Sequence, residues 1–457
     1  MTFYFTRNIF YHKLSTVPRI KATYQKSVKT GEFERAVDEI IDDLIKLAND
    51  GDPFACFEIY NVVEHGYTGI AYEIAEQYAL KAHEKGHLNA LNNLAMRHYE
   101  KLNDYEKVIE CLKLGSKLGS PYAQYNLGYY YETGKGIEQN DALAFELYKS
   151  SAEKGCVYAQ NSLGNWYWNG HYVAQDYIEA VKWYSKAANK NYAPAQNSLA
   201  NCYYNGNGVA QNYAEAVKWY KLAVAQKNSW AQNNLGDCYY SGKGVNQNYN
   251  MAAKLYEQSA AQGNSTAMNN LGFCYRYGHG VNKNLDQTIA WFQKAADAGN
   301  NRGVYNIGCF YAYDYGDNDS LRTAITYFKK ALNLGINDAL NRLGYCYEML
   351  HEMETAFDYY MQSAKRGNVE AEEWVAYAYE SFMWYGVEKD KYKAEEWYRR
   401  AANHGSKKAQ QWLAELEEER AAETRRNLEE TKAILRENDR MIDDLDKSPW
   451  DRFWSRF

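Results

Sequence analysis

The pattern that looks most like a catalytic site is H-E-K-G-H at residues 83–87, which matches the H-E-x-x-H signature of zinc proteases. That chemistry needs both histidines on one helical face to bind zinc, with the glutamate beside the metal-bound water. Gly86 coincides with a glycine that ends a helix in other segments, such as A-E-K-G-C, so His87 is expected to lie beyond the helix end. The sequence therefore predicts no metal site here.

Three aspartates, Asp314, Asp317 and Asp319, share one loop and could suggest a calcium site. The EF-hand spacing, with a central glycine and a closing glutamate, is missing. Asp319 or Ser320 is instead expected to cap a helix that starts near Leu321. No nucleophile elbow, phosphate-binding loop or dinucleotide fingerprint occurs, so we predict a protein that is not an enzyme and uses no cofactor.

One phrase of 36 residues recurs through the chain, and a period of this length is typical of a solenoid. From Ala195 to Trp230, apolar residues spaced by three and four predict a helix, Gly206 and Gly208 end it, and a second helical pattern follows. Each phrase therefore predicts an αα-hairpin that buries its apolar face only against its neighbours. The phrases open at Ala123, Ala159, Ala195, Ala231 and Ala267, with Gly303 and Ala339 in the same step.

These residues resemble the Sel-one-like repeat (SLR), a subclass of the tetratricopeptide superfamily. The matching features are the A-x-x-x-L-G-x-x-Y opening, the G-x-G-V loop and an A-x-x-W-Y-x-x-A-A helix, clearest at 180–188. Good matches cover 121–302 and degenerate ones roughly 53–412. The resemblance implies an all-α, right-handed superhelical α-solenoid of about ten stacked αα-hairpins with a long C-terminal helix. It implies an interaction scaffold without identifying the process.

The repeat register divides the chain into six segments. We predict an N-terminal cap at 1–52, degenerate repeats at 53–120, five well-matched repeats at 121–302, divergent repeats at 303–408, a charged C-terminal helix at 409–447 and an aromatic tail at 448–457.

Two apolar patterns near the C-terminus leave alternatives open. In the charged helix, Leu428, Leu435, Ile442 and Leu445 hint at heptads, but polar residues at the alternate positions favour a solvated or capping helix over a coiled coil. The tail could cap the solenoid, anchor a partner or touch a membrane surface, since an apolar stripe is costly in water. The tail stripe consists of Trp450, Phe453, Trp454 and Phe457.

Composition excludes several classes of protein. A net charge of −6 argues against nucleic-acid binding, which needs a basic face. No stretch of 18 apolar residues is present, so we predict no transmembrane segment, and no secretory signal is recognised, which favours the cytoplasm. The cysteines fit a reducing compartment, because four of them share one phrase position predicted to be buried. They are Cys202, Cys238, Cys274 and Cys346.

A candidate binding groove follows from positions 2, 6 and 9 of the phrase, counting the opening alanine as 0. These positions share one face of the first helix and pair an asparagine column with an aromatic column. Asparagine amides can hold an extended peptide backbone, and the rings can supply pockets. The alternative is a polar residue merely tolerated on the helix, since it recurs at Asn92 and Asn341. The set is Asn161, Asn165, Trp168, Asn197, Asn201, Tyr204, Asn233, Asp237, Tyr240, Asn269, Phe273 and Arg276.

Two functions from different classes fit this surface. The first is a non-catalytic adaptor, assembly factor or inhibitor that binds a protein or extended peptide in the groove, for example a bacterial effector or toxin. The second is a protein that binds cell-wall glycans, because asparagine, aspartate and aromatic rings also suit sugars. The glycan function requires export, which the sequence does not favour. The oligomeric state is not predicted.

Overall fold

The computed structural model describes residues 90–99, 103–381 and 387–446, together with the single positions 77, 81, 82, 450 and 454. The predicted N-terminal cap, most of the first degenerate hairpin, the H-E-K-G-H segment, Phe453 and Phe457 lie outside the described residues. Within the described residues, the chain forms 19 α-helices, two π-helical segments and no strand. The chain divides into two compact units, Met1–Asn248 and Tyr249–Phe457.

The helices of the N-terminal unit are α1 (Ala90–Asn93), α2 (Tyr105–Lys117), α3 (Pro121–Thr133), α4 (Asp141–Glu153), α5 (Val157–Asn169), α6 (Tyr177–Asn189), α7 (Ala193–Asn205), α8 (Tyr213–Ala225) and α9 (Ser229–Ser241), with a π-helical segment at Leu94–Tyr99. Those of the C-terminal unit are α10 (Tyr249–Ala260), α11 (Ser265–Tyr277), α12 (Leu285–Asp297), α13 (Asn301–Phe310), α14 (Asn318–Asn333), α15 (Ala339–Met349), α16 (Met353–Lys365), α17 (Val369–Glu380), α18 (Lys391–Asn403) and α19 (Lys407–Asp446), with a π-helical segment at Tyr311–Tyr315.

Within each unit, consecutive helices pack as hairpins, which confirms the repeat prediction. In the hairpin of α7 and α8, the first helix ends at Gly206 in the left-handed conformation (φ 78°), a backbone that favours glycine. The second helix begins after Asn212, whose side chain accepts a hydrogen bond from the backbone N–H of Glu215. Buried Leu199 and Tyr220 contribute to the core between the helices.

Two repeats are also joined by a carboxylate. Glu132 Oε2 accepts a hydrogen bond from Tyr148 Oη at 2.6 Å, and its Oε1 accepts one from Trp166 Nε1 at 3.0 Å. Both rings are buried, so each polar atom needs a partner inside the protein. Glu132 lies on α3, Tyr148 on α4 and Trp166 on α5. The carboxylate therefore ties one hairpin to the first helix of the next.

The predicted cap at Asp319 or Ser320 is wrong. Helix α14 begins at Asn318, and Asp317 caps it, because its Oδ1 accepts hydrogen bonds from the backbone N–H groups of Asp319 (3.1 Å) and Ser320 (2.9 Å). These hydrogen bonds lower the pKa of Asp317 below its usual range. Asp314 from the same loop pairs instead with Arg276 at 2.6 Å.

The four in-phase cysteines are buried as predicted. Desolvation raises the pKa of the Cys202, Cys238 and Cys346 thiols to about 12. Because the thiolate is the reactive form, we expect these thiols to react with iodoacetamide at pH 8 at least about a thousandfold more slowly than a free cysteine. Mass spectrometry of alkylated peptides measures this, with urea-unfolded protein as the control. Equal labelling of the native and unfolded chains would contradict the burial.

Candidate functional site

The asparagines of the first helices hydrogen-bond to one another across neighbouring repeats. Asn234 Nδ2, on α9, donates to Asn197 Oδ1 at 3.0 Å and to Asn201 Oδ1 at 3.1 Å, both on α7. The donor Asn234 lies one residue beyond the predicted column. The same pairing joins Asn306 Nδ2 to Asn269 Oδ1 at 2.6 Å and Asn126 Nδ2 to Asn92 Oδ1 at 2.7 Å. These amides thus stabilise the stacking of repeats.

The asparagines at phrase position 6 connect the two helices of one hairpin. Tyr184 Oη donates to Asn165 Oδ1 at 2.8 Å, and Tyr220 Oη donates to Asn201 Oδ1 at 2.6 Å. In both cases the tyrosine lies on the second helix and the asparagine on the first. The amide oxygens that a peptide ligand would need are therefore already accepting hydrogen bonds.

Three further members of the predicted set have separate environments. Asn233 is buried, and its Nδ2 lies 3.3 Å from Asp237 Oδ2. The buried Asn161 Oδ1 has no hydrogen-bond partner. The residue that corresponds to the donor Asn234 is Ser198 in the repeat after Asn161, so a shorter side chain stands where a donor would be. Asn233 therefore presents no free amide face to solvent, and the Oδ1 atom of Asn161 is not accessible to a ligand.

The predicted aromatic column packs on its own repeats. Trp168 contacts Tyr177 with ring centroids 4.8 Å apart, and Tyr204 contacts Tyr213 at 5.1 Å. Lys243 Nζ lies 5.1 Å from the centroid of the Tyr204 ring, a cation–π contact. Like these two rings, Tyr240 is half-buried. Trp168 and Tyr204 therefore stabilise the first residue of the second helix in their own repeats, and each of the three rings is only partly exposed.

The remaining predicted residues belong to the C-terminal unit. Asn269 accepts the hydrogen bond from Asn306 described above, and Phe273 packs edge-on against Phe292 with centroids 5.1 Å apart. Arg276 is mostly buried, and its charge is balanced by Asp314. Within this unit the predicted residues thus take part in packing and ion pairing.

A second row of aromatic rings, which the sequence analysis missed, is more exposed. The Tyr158 ring lies 6.2 Å from Tyr122 and 5.2 Å from Tyr192, measured between centroids. The exposed fraction is 39% for Tyr122, 40% for Tyr158 and 57% for Trp230, which occupies the same phrase position. We call Tyr122, Tyr158, Tyr192 and Trp230 the aromatic ladder. For Tyr122, Tyr158 and Trp230 the sequence signal is an aromatic residue just before the opening alanine of a phrase, whereas Tyr192 lies three residues before Ala195.

The described residues contain neither a cluster of metal ligands nor a helix that could span a membrane. None of their histidine, cysteine, aspartate and glutamate side chains form a group of three or more that could hold a metal ion. Nor does any helix in the described ranges combine the length and apolarity needed to cross a membrane. Burial raises the pKa of Tyr192 to about 12, so this ring of the ladder is neutral near pH 7. The surface therefore offers apolar and aromatic contact area.

Comparison with known proteins agrees with this architecture. The chain is similar to the protective antigen c5321 of uropathogenic Escherichia coli strains, which displays an SLR fold: identity is 29%, the alignment covers 82% of each chain and the TM-score is 0.64. A Sel1 repeat protein from Oxalobacter formigenes is 32% identical over 49% of this chain and 88% of its own, with a TM-score of 0.46. No curated protein matches the chain. The Sel1 repeat model matches residues 121–156, 157–192, 193–228, 231–264, 265–300, 302–336, 337–368 and 369–406.

Proposed function

Because this chain belongs to the Sel1 repeat family, whose members are generally protein-interaction scaffolds, we propose that it is a non-catalytic scaffold that binds a partner protein through the aromatic ladder. The observation that supports this proposal is the exposure of Tyr122, Tyr158 and Trp230 along one unit. Tyrosine and tryptophan are enriched at the centres of protein interfaces, since each buries a large rigid surface at a small entropic cost.

The hydrogen bonds of the asparagines favour the ladder over the predicted groove. Asn201 Oδ1 already accepts hydrogen bonds from Tyr220 and Asn234, so a peptide donor would have to displace one of them. A peptide that covered the ladder would bury rings that water now contacts, which is favourable at roughly 25 cal/mol per Å² of apolar area. We therefore propose that ring burial supplies the affinity and that the asparagines keep the repeats in register.

The neutral, aromatic character of the ladder defines the kind of partner. A segment with apolar or aromatic side chains can cover the rings, whereas a highly charged segment would be desolvated without compensation. A bacterial effector or toxin is one candidate partner within this proposal. The proposed place of the encounter is the cytoplasm, where buried thiols such as Cys202 and Cys238 stay reduced.

We expect the triple variant Tyr122→Ala, Tyr158→Ala and Trp230→Ala to capture its partner from lysate at least about tenfold less well than the wild type, because hot-spot rings are each worth about 2 kcal/mol or more. The matched control is Ile178→Ala with Leu222→Ala, which removes two exposed apolar side chains from the second helices α6 and α8. Quantitative mass spectrometry of the captured protein is the readout, and circular dichroism checks folding.

Two outcomes would contradict the proposal. Equal loss of the captured protein in the ladder and control variants would mean that general surface apolarity drives capture. Binding of purified cell-wall glycan by the wild type but not by the ladder variant would instead favour the glycan-binding function, because sugars also stack on exposed rings.

A further inference from the structure

Among the described residues, the contacts that anchor the C-terminal helix α19 lie at its start. Trp412 stacks on Tyr398 of α18 with centroids 4.2 Å apart, and Arg420 makes two hydrogen bonds to the Glu395 carboxylate at 2.7 and 3.0 Å. From Ala421 to Ile442, every side chain is exposed. At 1.5 Å per residue, this part of the helix is about 33 Å long. Its first turns pack on α18, and the rest of the helix extends beyond this contact.

The extended part carries an apolar stripe. Leu428, Leu435 and Ile442 are spaced by seven residues, and Ile434 and Met441 each precede one of them, so all five lie on one side of the helix. Their exposed fractions lie between 53% and 60%. The flanking residues Ile434 and Met441 make this stripe wider than heptad spacing alone predicts. A helix that packs against nothing gains little stability, which makes the stripe a candidate for an interface with another helix.

We propose that a second copy of this chain covers the stripe and that the two helices form an antiparallel coiled coil. In heptad notation, Leu428, Leu435 and Ile442 occupy positions a, while Lys432 and Asp439 occupy positions e, which flank the seam. If residue n faces residue 873 − n of the second copy, Ile442 packs against Thr431 and Leu435 against Asn438. This alignment is symmetric, so the interface forms twice and closes the dimer.

Charge complementarity selects this alignment. It places Lys432 beside Asp439 of the second copy on one flank, and Ile434 beside Met441 on the other. A shift of one heptad in either direction brings Lys432 against Lys432, or Asp439 against Asp439. Opposite charges therefore meet in this register, whereas like charges meet in the two adjacent ones.

A parallel pair fits less well. There, each position g faces the position e that lies five residues further along the second copy. Ile434 would then face Asp439, and Arg420 would face Arg425. An apolar side chain would meet a carboxylate, and two cations would meet each other. The antiparallel arrangement avoids both contacts.

The test measures the mass of the full-length chain by sedimentation equilibrium. We expect a dimer with twice the 52.9 kDa chain mass, and a monomer for Leu435→Asp at the same concentration. The matched control is Ala433→Asp, which adds the same charge to the same helix away from the stripe. We expect this control to remain dimeric. A wild-type chain that stays monomeric at about 100 µM, or a Leu435→Asp variant that stays dimeric, would overturn the proposal.

Charge reversal tests the direction of the pair. Lys432→Asp alone and Asp439→Lys alone are each expected to raise the dimer dissociation constant at least about tenfold, because like charges then meet at both flanking pairs. A mixture of the two variants should dimerise again, since the aspartates at both flanking positions of one chain then face the lysines at both flanking positions of the other. Variants that dimerise as well as the wild type would overturn the antiparallel alignment.

Discussion

Replacement of Gly208 by alanine is expected to lower the free energy of unfolding by about 2–4 kcal/mol. Gly208 has φ +71°, and a Cβ atom on it would lie 2.2 Å from the backbone oxygen of Tyr177 in the preceding repeat. The obstacle is backbone, so no side-chain rotation can relieve it. The loop that follows α7 must therefore move away from Tyr177 at the start of α6. Urea denaturation followed by circular dichroism measures the loss.

The matched control for this prediction is Gly263→Ala. Gly263 has φ +87°, and a Cβ atom there would meet nothing within 4 Å, so its replacement introduces the same kind of backbone strain without a clash. We expect this control to cost about 1–2 kcal/mol. Tyr172 occupies the position of Gly208 in the preceding phrase at φ 59°, with its ring against Phe145, so the position can accept a side chain when the loop adapts. Equal losses for the two glycines would show that close approach between repeats adds nothing.

Replacement of Glu132 by alanine is expected to destabilise the N-terminal unit by about 2–4 kcal/mol. The change removes the acceptor of two hydrogen bonds and leaves Tyr148 Oη and Trp166 Nε1 without that partner. Buried donors that lose a charged acceptor retain their full desolvation cost. Glu132→Gln should cost less, because the amide oxygen can still accept one of the two bonds. Thermal and urea denaturation provide the comparison.

The control for this prediction is Glu153→Ala, which removes an exposed carboxylate from α4 of the same unit. Surface changes of this kind usually alter stability by less than about 0.5 kcal/mol. The arrangement recurs in the C-terminal unit, where the Glu380 carboxylate accepts hydrogen bonds from Tyr398 Oη and Trp412 Nε1, both at 3.0 Å. Glu380→Ala should therefore also destabilise. A Glu132→Ala variant as stable as Glu153→Ala would show that the Glu132 carboxylate does not stabilise the contact between the two repeats.

The sequence predicts the hairpins because their signals are local. Apolar spacing, the glycine that ends each first helix and the buried cysteine position all act within one phrase, and the structure confirms them at Leu199, Gly206 and Cys202. The sequence does not predict the start of α14 because the π-helical segment Tyr311–Tyr315 replaces the usual loop. Asp317 caps α14, so the helix begins earlier than the periodicity indicates.

The site was only partly predictable because its hydrogen bonds join different repeats. A single phrase shows that Asn197 and Asn201 share a helical face, but not that Asn234 of the next repeat donates to both. The repeat pattern also does not show which of two columns of polar or aromatic residues is more exposed to solvent. Tyr158 and Trp230 precede the opening alanine and therefore lie outside the repeated A-x-x-x-L-G pattern that marks each phrase. Binding by the originally predicted residues stays a prediction.

The central claim, that the aromatic ladder is the partner-binding surface, is tested most directly by hydroxyl-radical footprinting of the chain alone and in its captured complex. Tyrosine and tryptophan rings report their own solvent exposure in this measurement. We expect oxidation of Tyr122, Tyr158 and Trp230 to fall on binding, while Ile178 and Leu222 on the second helices are oxidised as before. If oxidation of the three rings stays unchanged while residues outside the ladder become protected, the claim is contradicted.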